Sequence, residues 1–268
     1  MIQWRLHLVI KQLQSLCIVR IVHYKKMEVF GLVVLFLVVV ECRKLPSFVE
    51  PCLRTNPNIT ACILHNVELL RPRFLAGIPE LFIPPLDPLV LPKASLDSGD
   101  QFSASFSDIQ IYNALDFQLE KVHLDLEKFS VDLAIMFPSL RIKSRYELDG
   151  KLLVLQLKGQ GLADGNYTNV YGKIFGTGVP FEKNGKTHYK IEDSKIDIDI
   201  GGAHLYFDRI FGDNEELNEQ TNKVINENIK DLIGELKPVV IQVIRGFVLG
   251  ICNRLFDRYT FDELFPNA

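Results

Sequence analysis

Two periodicities meet in this chain, and together they leave few folds open. Between residues 100 and 208 apolar side chains recur at every second position, and from Asn214 to Tyr259 they recur at helical spacing. Leu140, Ile142, Tyr146 and Leu148 alternate with Arg141, Lys143, Arg145 and Glu147, the pattern of a strand with one face buried and the other wet. Val131, Leu133, Ile135 and Phe137 alternate in the same way, as do Phe102, Ala104 and Phe106, and then Ile196, Ile198 and Ile200. Turn dipeptides at Asp149-Gly150, Asp164-Gly165 and Asn184-Gly185 fall between these runs, so the strands are expected to be successive and antiparallel. One-sided alternation over this length calls for a strongly curved sheet with something apolar in its hollow.

The last segment supplies that filler. Leu217, Val224, Ile225, Leu232, Ile233, Leu236, Val240, Val243, Ile244, Phe247, Ile251 and Leu255 form a helical stripe. At about 1.5 Å per residue it would reach roughly 60 to 70 Å if unbroken. Pro238 is expected to kink or break it, and the stretch after Pro238 is apolar almost all round, as suits a helix held inside a sheet. The fold class expected is therefore α+β: a long C-terminal helix wrapped by a strongly curved antiparallel sheet. Upstream, Ile63, Leu64, Val67, Leu70, Phe74 and Leu75 predict an amphipathic helix from Thr60 to Leu75 that ends at Gly77 and Pro79. The proline-rich run from Ile78 to Pro92 reads as an extended segment along the surface or a sheet edge.

The uncharged run Phe30 to Val40 follows Lys25 and Lys26 and stops at Glu41-Cys42-Arg43. It falls short of the roughly 20 apolar residues a bilayer span needs and has the layout of a secretory leader. Residues 27–42 are read as the signal peptide, cleaved after Cys42, with 1–26 as a non-native upstream extension before Met27 and 43–268 as a single domain. A signal-anchor is the alternative. Removing residues 1–42 shifts the formal charge from −3 to about −6. An acidic chain argues against nucleic acid or an anionic membrane surface as its main partner. In an oxidising compartment Cys52 and Cys62 enclose a short polar loop and are expected to pair, a ring closure worth about 3 kcal/mol in the chain-entropy model. Cys252 is then left as a buried free thiol on the helical stretch. Asn58-Ile59-Thr60 and Asn166-Tyr167-Thr168 are glycosylation acceptors, at Asn58 and Asn166, consistent with secretion.

Motifs for chemistry are sparse. Gly159-Gln160-Gly161 and Gly176-Thr177-Gly178 open no helix and read as hairpin glycines rather than nucleotide loops. No Gly-x-Ser-x-Gly elbow occurs, and His65, His123, His188 and His204 are scattered with no partner at metal spacing. Asp193, Asp197 and Asp199 look like the wet face of a strand rather than a calcium site. No metal, cofactor or catalytic residue is expected.

Eight strings occur in order: Leu45-Pro46-Ser47-Phe48, the Cys52/Cys62 pair, Gly77-Ile78-Pro79, Pro84-Pro85-Leu86-Asp87-Pro88, Gly176-Thr177-Gly178, Leu205-Tyr206-Phe207 followed by Gly212-Asp213, Val224-Ile225-Asn226-Glu227-Asn228, and Phe261-Asp262-Glu263-Leu264-Phe265-Pro266. From Leu45 to Pro266 the chain resembles the insect takeout and juvenile hormone-binding protein family. The resemblance implies a secreted carrier of lipophilic ligands, with a TULIP-like roll of sheet around helix and an internal hydrophobic tunnel. In the hormone-carrier branch a second disulfide fastens the helix to the sheet; Cys252 has no mature partner here, which places the chain nearer takeout. The position after Asn228, commonly aromatic in the family, is Ile229.

The tunnel wall is expected from Phe102, Phe106, Leu133, Phe137, Ile142 and Tyr146 on the sheet and from Leu232, Leu236, Val240 and Ile244 on the helix. Tyr146 and Tyr171 are candidate polar contacts. The function expected is a non-catalytic, monomeric carrier of a small lipophilic ligand, a terpenoid, fatty acid or similar lipid, in haemolymph or another extracellular fluid. Two other classes stay open: a lipid-transfer protein that docks transiently on membranes, for which Pro79 to Pro92 is the apolar candidate, and a protein-interaction module with a filled core.

Overall fold

In a computed structural model of the chain, residues 18–21, 38–41, 45–97, 102–152 and 155–267 are described. Contacts divide the chain into two units, Met1–Pro46 and Ser47–Ala268. In the first, β1 (Ile18–Ile21) pairs antiparallel with β2 (Val38–Glu41). The rest of the expected leader and of the upstream extension lies outside the described residues.

The second unit begins with a segment fastened to a helix, α1 (Ile59–Leu70). Asn58 caps it, its Oδ1 accepting from the Ala61 N–H at 3.2 Å, which supplies a partner for one of the first-turn donors. The Cys52–Cys62 disulfide is formed, with the two Cα atoms 5.9 Å apart. Beside the disulfide the buried Asn66 accepts from the Glu50 N–H (2.9 Å) and donates to the Glu50 carbonyl (2.8 Å). One amide thus treats an extended residue as a neighbouring strand would. The proline-rich run that follows is only partly extended: Pro79–Leu81 forms a 3-10 turn before β3 (Leu89–Leu91).

The sheet comprises β3, β4 (Ala94–Asp97), β5 (Phe102–Tyr112), β6 (Gln118–Asp125), β7 (Ser130–Leu152), β8 (Leu155–Lys183) and β9 (Lys186–Phe207). Its spine runs β3-β5-β7-β8-β9, with β4 also on β5 and β6 also on β7, all antiparallel. Asn184-Gly185 is a tight turn between β8 and β9, both residues at positive φ, as a two-residue hairpin requires. The other two expected turns are not turns. Asp149-Gly150 lies within β7 and Asp164-Gly165 within β8, and the glycine pairs at 159/161 and 176/178 are likewise inside β8 rather than in hairpins.

Strands of 22 to 29 residues wrap a helix because their phase changes part-way. On β9 the less exposed positions are Ser194, Ile196, Ile198 and Ile200, then Ala203, Leu205 and Phe207; on β8 they are Ala163, Gly165 and Tyr167, then Val170, Gly172, Ile174 and Gly176. The switch falls at Pro138, Asn169 and Gly201, which lie side by side: Phe137 and Ser139 pair with Val170 and Thr168, which pair in turn with Ile200 and Gly202. Pro138 has no ladder donor, Asn169 sits at φ 49°, and a Cβ on Gly201 would lie 2.9 Å from that of Asn169. These three residues form a crease across the sheet. β5 makes its own phase change at a bulge, Asp108, between Ser107 and Gln110.

The C-terminal stripe is two helices, α2 (Glu215–Glu227) and α3 (Ile229–Arg258), broken at Asn228 rather than at Pro238. Pro238 sits inside α3, and open space lies beside Gly234, whose carbonyl the proline leaves without a donor. α3 is long and apolar enough to cross a bilayer, but it lies against β9 and β4. A last short helix, α4 (Phe261–Leu264), carries a capping box between Thr260 and Glu263.

Candidate functional site

Along the strands the hollow of the sheet divides into a packed end and an open middle. At the packed end Phe102, Ala104, Tyr146, Leu148, Leu157, Phe207, Ile210, Ile225 and Leu232 form one buried cluster. Tyr146 meets Phe207 edge to face at 5.1 Å between ring centroids, and its hydroxyl donates to the Asp208 carbonyl. Burial pushes the Tyr146 phenol well above its ordinary value. The chain after β9 crosses β8 at Gly159 and Gly161. A Cβ on Gly159 would come within 2.4 Å of the Ile210 carbonyl oxygen.

One step along the same strands the inward residues shrink. Ser144 replaces a large side chain on β7, Ala163 and Gly165 do so on β8, and Ala94 stands on β4; between them is a cavity of ≈ 200 Å³. Phe106, Ile109, Ile111 and Ile142 line it from the sheet, Leu205 and Phe207 from β9, and Leu236, Val239, Val240, Val243 and Ile244 from α3. Only Leu232 of α3 is fully buried, and Val240 keeps 40% of its surface exposed. An apolar helix that borders unfilled space explains both values.

The polar groups at the wall are few. Tyr167 is half-buried there, and desolvation raises its phenol to about 12. Asp164 also borders the cavity, but its carboxylate is joined to Arg141 in a fork, Nε to Oδ1 at 2.9 Å and Nη2 to Oδ2 at 2.5 Å. The guanidinium holds the Asp164 carboxyl below the usual carboxylate range.

Two wall residues are fixed from behind by α2. Asn226 accepts from the Leu205 N–H (2.8 Å) and donates to its carbonyl (2.7 Å), and Asn222 does the same to Phe207, both at 2.8 Å. Asn218, one turn earlier, accepts from the Phe211 N–H at 2.8 Å. Polar residues at i, i+4 and i+8 on a helix face turned toward the sheet were the available sequence signal for this ladder.

Of the residues expected at the tunnel wall, Phe106, Ile142, Leu236, Val240 and Ile244 meet around the cavity. Phe102, Tyr146 and Leu232 belong to the packed end. Leu133 and Phe137 lie beyond the crease, opposite Ile174 and Val170. Tyr171 is 37% exposed, opposite Asp199. Tyr167 stands inside because the phase switch at Asn169 separates it from Tyr171, whereas unbroken alternation would put both on one face. Both glycosylation acceptors, Asn58 and Asn166, are exposed. Cys252 is free and half-buried, and burial pushes its thiol up.

The family model for haemolymph juvenile hormone binding protein (JHBP) matches residues 31–266. This chain belongs to that family. Among curated relatives, the circadian clock-controlled protein daywake of Drosophila melanogaster is 28% identical over 242 residues, covering 84% of this chain and 92% of daywake. Daywake of Drosophila yakuba is 27% identical, covering 82% of this chain and 88% of its own. Among solved structures, Takeout 1 of Epiphyas postvittana superposes with a TM-score of 0.67 at 18% identity, covering 76% of this chain and 95% of Takeout 1. That likeness confirms the fold: a curved antiparallel sheet closed over a long C-terminal helix.

Proposed function

We propose that the protein is a secreted, non-catalytic carrier that holds a small lipophilic ligand between α3 and the sheet. The observation that carries this reading is the cavity of ≈ 200 Å³, walled by apolar side chains from six strands and α3. Transferring apolar ligand surface into such a space is favourable by about 25 cal/mol per Å², and apolar walls with a few polar groups are what small-molecule sites present. Family membership supports the carrier class, and the Cys52–Cys62 disulfide fits an oxidising, extracellular setting. The ligand wall proposed is Phe106, Ile142, Tyr167, Leu236, Val240 and Ile244.

Native mass spectrometry of the protein secreted from eukaryotic cells, followed by organic extraction, tests this. The expected result is a stoichiometric lipid of a few hundred daltons. A clean apo mass that also takes up no lipid would overturn the carrier reading and favour an interaction module. The same preparation is expected to leave a generic ester uncleaved.

A further inference from the structure

The charge of the wall narrows the ligand class, on the premise that the cavity is the binding site. Among the described residues that line it there is no Lys, Arg or His. The wall contributed by α3 (Leu236, Val239, Val240, Val243, Ile244) has no titratable group, nor do the lining residues of β3, β4, β5 and β7. β8 brings Tyr167 and Asp164, and β9 brings Tyr206, which is 52% exposed. Two guanidinium groups adjoin the wall and both are engaged: Arg141 is committed to Asp164 in two hydrogen bonds, and Arg245, next to Ile244, donates from Nε to Ser194 Oγ at 2.9 Å. Lys237, next to Leu236, is bound to Asp197 at 2.7 Å. A second, more open hollow shares only Leu205 and Tyr206 with the cavity; it is lined by His204 and by Lys223, whose Nζ is 3.9 Å from the Glu227 carboxylate.

We propose that this cavity accepts uncharged lipids, such as esters, alcohols or ketones, and rejects the ionised carboxylate of a fatty acid. A carboxylate entering it would give up its water and find no cation, and burying an unpaired charge is among the costliest steps a site can ask of a ligand. An ester carbonyl or a hydroxyl has less hydration to lose, and the hydroxyls of Ser144, Tyr167 and Tyr206 are donors at the wall. The Tyr167 phenol is protonated at neutral pH, as an ordinary tyrosine is, and burial raises it further, to about 12, so it is able to donate.

The test uses the full chain, delipidated, with a neutral fluorescent probe such as N-phenyl-1-naphthylamine, displaced at pH 7.5 by methyl laurate, dodecanol and lauric acid. The expected result is that the ester and the alcohol displace the probe at concentrations at least tenfold lower than the acid. Equal potency of the acid would overturn the proposal and leave the carrier reading standing. If none of the three displaces the probe or raises the melting temperature, the carrier reading itself fails. Val240→Lys, at a half-exposed wall position, is expected to reverse the order in favour of lauric acid. Val243→Lys, on the next turn of the same wall, serves if that variant does not fold. An unchanged order in a folded lysine variant would overturn the absence of a cation as the cause.

Discussion

The packed end and the cavity are neighbours on the same strands, and they differ in little more than side-chain size. At the packed end β7 turns Tyr146 and Leu148 inward and β9 turns Phe207, and these close on α2 and α3 through Ile225 and Leu232. Two residues along, β7 offers Ser144 and β8 offers Ala163 and Gly165, and a cavity opens. Curvature, register and strand identity are shared, so the hollow arises from the small residues rather than from the fold. Interiors pack as densely as their side chains allow, and here the side chains do not reach.

Four substitutions sharpen or break that comparison, in decreasing order of effect. Gly159→Ala forces a Cβ against the Ile210 carbonyl oxygen, 2.4 Å away, at the packed end. It is expected to cost about 3 kcal/mol or more, read by urea denaturation, because the obstacle is backbone and cannot rotate aside. Asn222→Leu removes both partners of the buried Phe207 backbone. About 2 to 3 kcal/mol of destabilisation is expected, since the stranded N–H and carbonyl lose their bonds without regaining water. A loss under 0.5 kcal/mol would show that the ladder contributes little to holding the sheet edge.

Ser144→Phe should do the reverse, converting the cavity into an extension of the packed end. Stability is expected to change by no more than about 1 kcal/mol while displacement of a bound probe is lost; a filled variant that still binds at full affinity would place the ligand elsewhere. The smallest effect concerns Arg141. Its guanidinium lowers the Asp164 pKa in the folded state, so the pair stabilises above the unfolded carboxyl's pKa and that stabilisation is lost as pH falls through the folded value. Arg141→Gln is therefore expected to lose less stability than wild type between about pH 5 and pH 3, compared by urea midpoints at the two pH values.

Much of this architecture is legible in the sequence, because a period of two and a period near 3.6 report directly on burial. The Cys52–Cys62 pairing and the amphipathic α1 follow from equally local signals. The crease does not. Pro138, Asn169 and Gly201 are 31 and 32 residues apart in sequence and become one feature only through strand pairing. Without it Tyr171 reads as inward and Tyr167 goes unnoticed. Asp164-Gly165 misleads for a related reason: the dipeptide has turn chemistry, but the glycine is needed mid-strand, where a Cβ would lie 2.7 Å from the Leu205 side chain and 2.8 Å from the Tyr167 ring. The helix break falls at Asn228 rather than at Pro238, which is carried within α3.

The asparagine ladder on α2 has a consequence for how the molecule meets its own copies. A sheet margin with free amide hydrogens and carbonyls is a template onto which another chain can add a strand. At Leu205 and Phe207 both groups of each residue are already engaged by side chains of the same molecule. That stretch of β9 is closed to recruitment, and the sheet ends there without needing another strand to end it.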